Sequence, residues 1–498
     1  MPSTITIDGR SLSIADVVAV ARGGAPVAIA PGSLAAVQAS RSTIEAAVAR
    51  GDSVYGVNTG FGKLAHVRIK PEQARDLQKN LIRSHASGVG DPLAVDAVRA
   101  MMLLRANVLL RGTSGVRPVL PELIVAMLNA ALHPRVPSQG SVGASGDLAP
   151  LAHLALAMMG EGSDGAALAG KRLKPITLEA KEGLAFINGT QAQTGLAALL
   201  VHDAWVLWRT AHAAAAMSLE AVRGTPVPFD ARIHDARPHP FQQRSAALLR
   251  DLLADSEIRE SHRTGDPRVQ DAYSLRCTPQ VLGAVGEGLA FAERLIATEL
   301  NAATDNPLVF DGEVLSGGNF HGQPIALALD VIGIGLTTLA GLAERRLERI
   351  VNPDLSSGLP AFLARDPGLE SGFMSPQIAA AALVAECRVL ATPASVQSVP
   401  TEGNQEDVVP MGMTAAWKGE RILANATRIV AIELMAGAQG LEFLKPLRPG
   451  RGVVRAHQAV RHAVPPLDGD RPLSADIEKI AAGVRAGTFD PAGPGAGA

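Results

Sequence analysis

Long runs of apolar and small residues, separated by short polar clusters, dominate the chain. Thr4 to Asp8 alternates as a short strand does, and Ser11 to Ala21 then repeats its apolar positions with a helical period. Helical patterns follow over Pro71–Ser84, Asp91–Leu110, Pro121–Leu132, Leu148–Met159, Thr194–Val222, Arg244–Asp255, Pro279–Asn301, Ile325–Ile350, Pro376–Ala391 and Met411–Gly440. Ala, Leu and Met, all good helix formers, fill these stretches. Alternating β-branched runs are few. The pattern therefore predicts a mainly α protein built on a long central helical bundle, with minor short strands near the N-terminus. It also suggests a helical region over 1–195, a long-helix bundle region over 196–485, and a Gly/Ala/Pro-rich tail over 486–498 expected to be disordered.

Two helical stretches approach the length of a membrane span, Thr194–Val222 and Ile325–Ala343. His202, Asp203 and Arg209 interrupt the first and Asp330 the second, and charge at the centre of a bilayer is costly. Apolar residues on every side also mark a helix buried in a large core, which is the expectation here. The charge balance, 46 Lys plus Arg against 48 Asp plus Glu, argues against a nucleic-acid partner. Two cysteines, Cys277 and Cys387, make no disulfide framework and fit a reducing compartment. The first residues carry neither a basic leader nor an apolar block, so a cytoplasmic location is expected. His234 and His239 lack metal-ligand context, and no metal is expected.

Candidate chemistry sits in the polar clusters between helices, at 56–62, 138–147, 316–322 and 400–407. Gly140-Ser141-Val142-Gly143-Ala144-Ser145-Gly146-Asp147-Leu148 is the most informative of them. If the Gly146 nitrogen attacks the Ala144 carbonyl carbon, a five-membered ring closes. Loss of water then leaves an exocyclic methylene at Ser145, an electrophile made from the backbone alone. The attack needs a sharply bent backbone with little bulk, which glycine permits. A second copy, Ala86-Ser87-Gly88, runs into Val89-Gly90-Asp91-Pro92 and reads as a plain turn. The first copy runs into a helix, whose positive end favours negative charge developing on such a ring.

The other clusters leave alternatives open. Tyr55 and Tyr273 are the two tyrosines of the chain, both in polar segments. Gln270, Tyr273 and Arg276 share a spacing of three and lie near one face if helical. Arg276 suits either a carboxylate clamp or a structural ion pair. Ser84-His85 precedes a turn. Asn188 reads as a helix cap or turn, and Glu406 as an acidic residue complementing a helix dipole. Gly317 to Gly322 forms a loop able to place Phe320 against a ring.

Taken together, these blocks resemble the aromatic amino acid ammonia-lyases from Tyr55 to about Lys445. The resemblance rests on Tyr55–Gly62, Ser84–Gly90, Gly140–Leu151, Phe186–Gln191, Gln270–Cys277, Thr304–Pro307, Gly317–Phe320 and Asn404–Asp407. It implies that Ala144, Ser145 and Gly146 form a 4-methylidene-imidazol-5-one ring autocatalytically, with no external cofactor. It implies Tyr55 as the base, with Tyr273 and Glu406 also in the catalytic set. Arg276 would hold the substrate carboxylate, Asn188, Gln270 and Tyr273 would position the ring, Phe320 would line the site, and His85 and Glu406 would bind an imidazole. The implied fold is the helical homotetramer related to the fumarase and aspartase lyases, with sites shared between subunits. Ser84-His85 and Ser371-Gly372-Phe373-Met374 are histidine-type features, so the expected reaction is L-histidine to trans-urocanate plus ammonia. The same-family alternatives are a tyrosine or phenylalanine lyase or an aminomutase. One departure stands out: after Asp407, histidine-type members usually show His and then Val-Ser, where this chain has Val408, Val409 and Pro410. For Tyr55 to take a proton, its pKa would have to be lowered by the site.

Overall fold

A computed structural model describes residues 2–162 and 164–491 of the chain. Helices dominate it, as the periodicity requires. The longest are Gln191–Ala221, Thr278–Glu299, Gln323–Val351 and Gly412–Glu442, each within a few residues of its expected bounds. Their burial follows the sequence pattern. In Gln323–Val351 the buried positions Ile325, Leu329, Ile332, Leu336, Leu339, Ala343, Leu347 and Ile350 recur every three or four residues. This helix is long and apolar enough to cross a membrane, yet 56% of its apolar stretch is buried within the protein.

Strands are short and form three two-stranded sheets among the described residues. Ile5–Ile7 pairs in parallel with Val27–Ile29, as expected near the N-terminus. Strands also occur far from it: Val89–Pro92 pairs with Pro137–Gln139, and Leu308–Phe310 with Glu313–Leu315, both antiparallel. The longer helices Ser33–Arg50, Arg451–Ala463 and Ser474–Arg485 escaped the sequence pattern, as did short ones such as Gly165–Gly170 and Glu182–Ile187. The tail expected to be disordered from residue 486 is in fact packed over its first residues. Phe489 is buried and Asp490 pairs with Arg209 at 2.6 Å, while residues 492–498 lie outside the described residues.

The chain divides into two compact units that are discontinuous in sequence. The first comprises 1–202, 292–330 and 393–417, and the second 203–291, 331–392 and 418–498. The core of the first unit is tied by buried polar groups with good geometry. Fully buried Arg105 donates to Gln191 Oε1 at 2.6 Å and to the carbonyls of Asn188 and Ala185 at 3.2 and 2.6 Å. Lys181 pairs with Asp305 at 2.9 Å, both inaccessible to solvent. These bonds pin the segment 181–191, on which the site depends. In the second unit Arg346 grips Glu433 through two bonds of 2.5 and 2.9 Å, and Ser218 donates to the same carboxylate. Such burial is tolerated because Lys181 and Arg346 are paired with carboxylates and Arg105 is held by three hydrogen bonds.

Candidate active site

The Ala-Ser-Gly turn is held by two glycines pressed together. Gly146 takes φ +82°, and a Cβ there would lie 2.3 Å from the Gly189 nitrogen. Gly189, at φ +154°, leaves no more room: a Cβ would meet Gln191 Oε1 at 2.5 Å and Arg105 Nη1 at 2.6 Å. Only glycine satisfies both the backbone angle and the approach. The two segments bridge as a short parallel pair, closed by the Asp147 N–H donating to Gly189 O at 2.7 Å. The helix Leu148–Met158 starts directly afterwards.

Asp147 anchors this turn from below. Its buried carboxylate accepts from the Gln193 N–H at 2.8 Å and from Ser141 Oγ at 3.1 Å. Burial pushes the carboxyl up to about 6, against the pull of these donors.

Ser145 faces a cavity of about 530 Å³. Its Oγ donates to Glu406 Oε1 at 2.5 Å, and Thr401 Oγ1 donates to the other carboxylate oxygen at 2.5 Å. Asn188 Nδ2 donates to the Ser145 carbonyl oxygen at 2.7 Å, while Asn188 Oδ1 is buried with no protein partner. Tyr55, His85, Ala144, Phe320 and Glu406 line the same cavity. The His85 Nδ1 lies 2.9 Å from Leu81 O, so this nitrogen carries the proton and Nε2 is left for other partners. The single-chain cavity thus gathers Tyr55, His85, Ala144, Ser145, Asn188, Phe320 and Glu406, with Gly146 behind them.

Gln270, Tyr273 and Arg276 are not among its lining residues. They belong to the second unit, where Tyr273–Arg276 is a four-residue helix. Tyr273 is 71% exposed, Arg276 stacks over its ring at 4.7 Å, and Arg276 Nε is buried without a partner. Gln270 and Arg276 line a cavity of that unit.

The structure also adds residues whose individual role at the site was not legible from sequence. Phe61 meets Tyr55 edge-on, with ring centroids 6.4 Å apart. Asn306, His321, Glu402 and Val408 line the cavity. Asn306 lies in the quoted Thr304–Pro307 block and Glu402 in the 400–407 cluster, so only their individual roles lacked a signal. The departure at 408–410 is part of the site: Val408 borders the cavity, and its carbonyl receives His321 Nε2 at 3.1 Å. Pro410 packs where a Cβ on Gly143 would lie 3.2 Å from its Cγ.

Tyr55 runs against expectation. Its hydroxyl accepts from the Gly62 N–H at 3.0 Å, which favours the phenolate. Burial outweighs that, and the charges of Glu402 and Glu406 add to it, so the phenol is pushed above its ordinary value rather than below it.

A mainly helical chain in which a phenol, carboxylates and an amide converge on one strained small-residue turn is the architecture of an amino acid lyase. The family model for aromatic amino acid lyases matches residues 12–462, and the chain belongs to that family. It is 51% identical to a histidine ammonia-lyase of Myxococcus xanthus over 487 residues, 96% of each chain. Among solved structures it superposes on histidine ammonia-lyase from Trypanosoma cruzi with a TM-score of 0.90 and 42% identity, covering 99% of this chain and 96% of that one. It also superposes on tyrosine aminomutase from Streptomyces globisporus, with a TM-score of 0.93 and 40% identity, covering 98% and 97%.

Proposed function

We propose that the protein is a histidine ammonia-lyase, converting L-histidine to trans-urocanate and ammonia. The observation that carries this reading is Glu406, a carboxylate in the cavity bonded to Ser145 Oγ at 2.5 Å, with His85 lining the same space. An apolar substrate ring would offer these groups no hydrogen-bond partner of its own. A ring bearing N–H groups satisfies them. The strong likeness to the Myxococcus xanthus enzyme supports the same substrate.

The turn at 144–146 fits the ring that the family uses. Gly146 and Gly189 leave no space for any Cβ, and the buried Asn188 Oδ1 stands without a partner beside the Ser145 carbonyl that Asn188 already holds. When formed, the ring would supply an electrophile for the substrate nitrogen, making it a better leaving group. Ala144, Ser145 and Gly146 would provide its atoms, and Asn188 would hold its oxygen. The protein's own side chains do the rest. Tyr55 Oη, in its ionised form, takes the β-proton as the C–N bond breaks, the C=C bond forms, and ammonia leaves. A positioned base of this kind contributes about 10²–10⁴-fold. Glu406 and His85 orient the imidazole, and Phe320 closes the wall.

Within this reading the protein is a cytoplasmic homotetramer whose sites are shared between subunits. Exposed Tyr273 supports this, because its ring is available to a site completed by another copy. Gln270, Tyr273 and Arg276 then act in a neighbouring copy's cavity, with Arg276 clamping the substrate carboxylate. Co-expressed Tyr55→Phe and Tyr273→Phe chains, each inactive alone, are expected to regain activity together.

The deciding assay offers L-histidine, L-tyrosine and L-phenylalanine side by side and follows ammonia and ultraviolet absorbance. Urocanate from histidine alone is the expected result. Turnover of tyrosine or phenylalanine without histidine would overturn the substrate, and a β-amino acid product would indicate an aminomutase.

A further inference from the structure

The loop that delivers Glu406 delivers a second carboxylate that the reaction described above does not use. Thr401 N–H donates to Glu406 O at 2.9 Å, closing a tight loop. Within it Glu402, Gly403 and Asn404 take φ of +49°, +62° and +67°. A non-glycine residue in this region is strained, and the strain persists only when the surroundings impose it. The result of the strained path is the position of the Glu402 carboxylate. It sits so close over Gly62 that a Cβ there would lie 1.8 Å from Glu402 Oε1. Gly62, at φ +50°, is the residue whose N–H donates to the Tyr55 hydroxyl at 3.0 Å. One glycine therefore seats a carboxylate and holds the phenol.

We propose that Glu402 is a positioning residue that sets the protonation of Tyr55 through its charge, with Gly62 as the platform that keeps the two groups together. The inference rests on Tyr55 being the proton acceptor. The other titratable groups around the pair are Glu406 on the same loop, Lys63, whose side chain packs within 3.7 Å of a Cβ position on Gly403, and His85, His321 and Asp407 along the cavity. Glu402 and Glu406 act on Tyr55 with the same sign, both opposing a phenolate. Glu406 is engaged by the Thr401 hydroxyl, and by Ser145 Oγ until ring formation removes that oxygen. Burial and the Glu406 charge push the Glu402 carboxyl above its ordinary range. Of the two carboxylates, Glu402 is the one seated over the glycine that holds the Tyr55 hydroxyl. Loss of its charge relieves Tyr55 and leaves the Thr401–Glu406 bond in place.

The chain has two tyrosines, which makes a direct test accessible. In full-length Tyr273→Phe protein carrying tyrosine labelled with carbon-13 at Cζ, Tyr55 is the sole reporter, and its titration midpoint is read by NMR. Adding Glu402→Gln is expected to lower that midpoint by about one pH unit, the effect of removing one nearby like charge. Glu402→Asp is expected to leave it near the parent value. In chains retaining Tyr273, Glu402→Gln should move the acid limb of kcat/KM for histidine down by the same interval. A Tyr55 midpoint unchanged by Glu402→Gln overturns the proposal. Glu402→Ser, which removes the carboxyl without adding bulk, decides the matter in the same way where the Gln variant does not fold. A protein that turns over no amino acid refutes the functional reading instead, and the titration still decides the role of Glu402.

Discussion

Asn188→Ala offers a quantitative probe of ring formation. For the Gly146 nitrogen to attack the Ala144 carbonyl, the Ser145–Gly146 amide must give up its proton, and the negative charge spreads onto the Ser145 oxygen. Asn188 Nδ2 already donates to that oxygen at 2.7 Å. Against a neutral carbonyl such a bond is worth about 1 kcal/mol. Against a developing oxyanion a fixed donor is worth about 2.7–4 kcal/mol. The difference, about 2–3 kcal/mol, predicts ring closure slowed roughly 30- to 150-fold. Truncation strands only the Ser145 carbonyl, because Asn188 Oδ1 has no protein partner and Arg105 holds the Asn188 backbone oxygen. The fold should therefore persist, which circular dichroism checks. Intact-mass measurement over time after synthesis reads the reaction directly, since cyclisation removes two waters, about 36 Da. A folded variant that cyclises within threefold of the parent rate would refute the argument and leave Asn188 a simple helix-end residue.

Other outcomes follow from single contacts. Gly146→Ala should abolish both the mass loss and turnover, because its Cβ would fall 2.3 Å from the Gly189 nitrogen. Arg346→Met should cost about 3–5 kcal/mol in denaturant unfolding by stranding the Glu433 charge, and adding Glu433→Leu should recover most of that. Burial pushes the Glu220 carboxyl from 4.5 up to about 7, although Gly450 N–H donates to both its oxygens at 3.0 Å. The folded state therefore holds the proton more tightly than the unfolded chain. The stability that Glu220 contributes is fully present below about pH 4.5, is lost by about 3 kcal/mol as pH rises to 7, and then levels. Glu220→Gln should flatten that slope in urea titrations at pH 5 and 8.

The long helices were legible because each carries a repeating buried face, as the Ile325–Ile350 series does. Ser33–Arg50 was not, since a stretch rich in Ala and Ser buries Val37, Ile44 and Ala47 and little else that is apolar. Arg451–Ala463 hides its pattern behind arginines and histidines, with Val453, Ala456 and Val460 facing inward. At the site, the Ala144–Gly146 turn announced itself by its chemistry, and Tyr55, Asn188 and Glu406 by the blocks around them. Spacing along the chain could not tell which cavity Gln270, Tyr273 and Arg276 serve, because that depends on how elements distant in sequence come together. Glu402 was hidden for a different reason. Nothing about a glutamate forecasts a left-handed backbone, and that torsion is what turns its carboxylate toward Gly62.

The bridge between Gly146 and Gly189 has a consequence for how molecules mature. The bent conformation at 144–146 is not a property of the tripeptide; it is imposed by a strand contact more than forty residues away in sequence, itself braced by Arg105. If the proposed ring forms, chains that never assemble this region would stay chemically inert, and the modification would act as a built-in certificate of correct folding. The fraction of chains bearing it would then count those that reached the native state at least once.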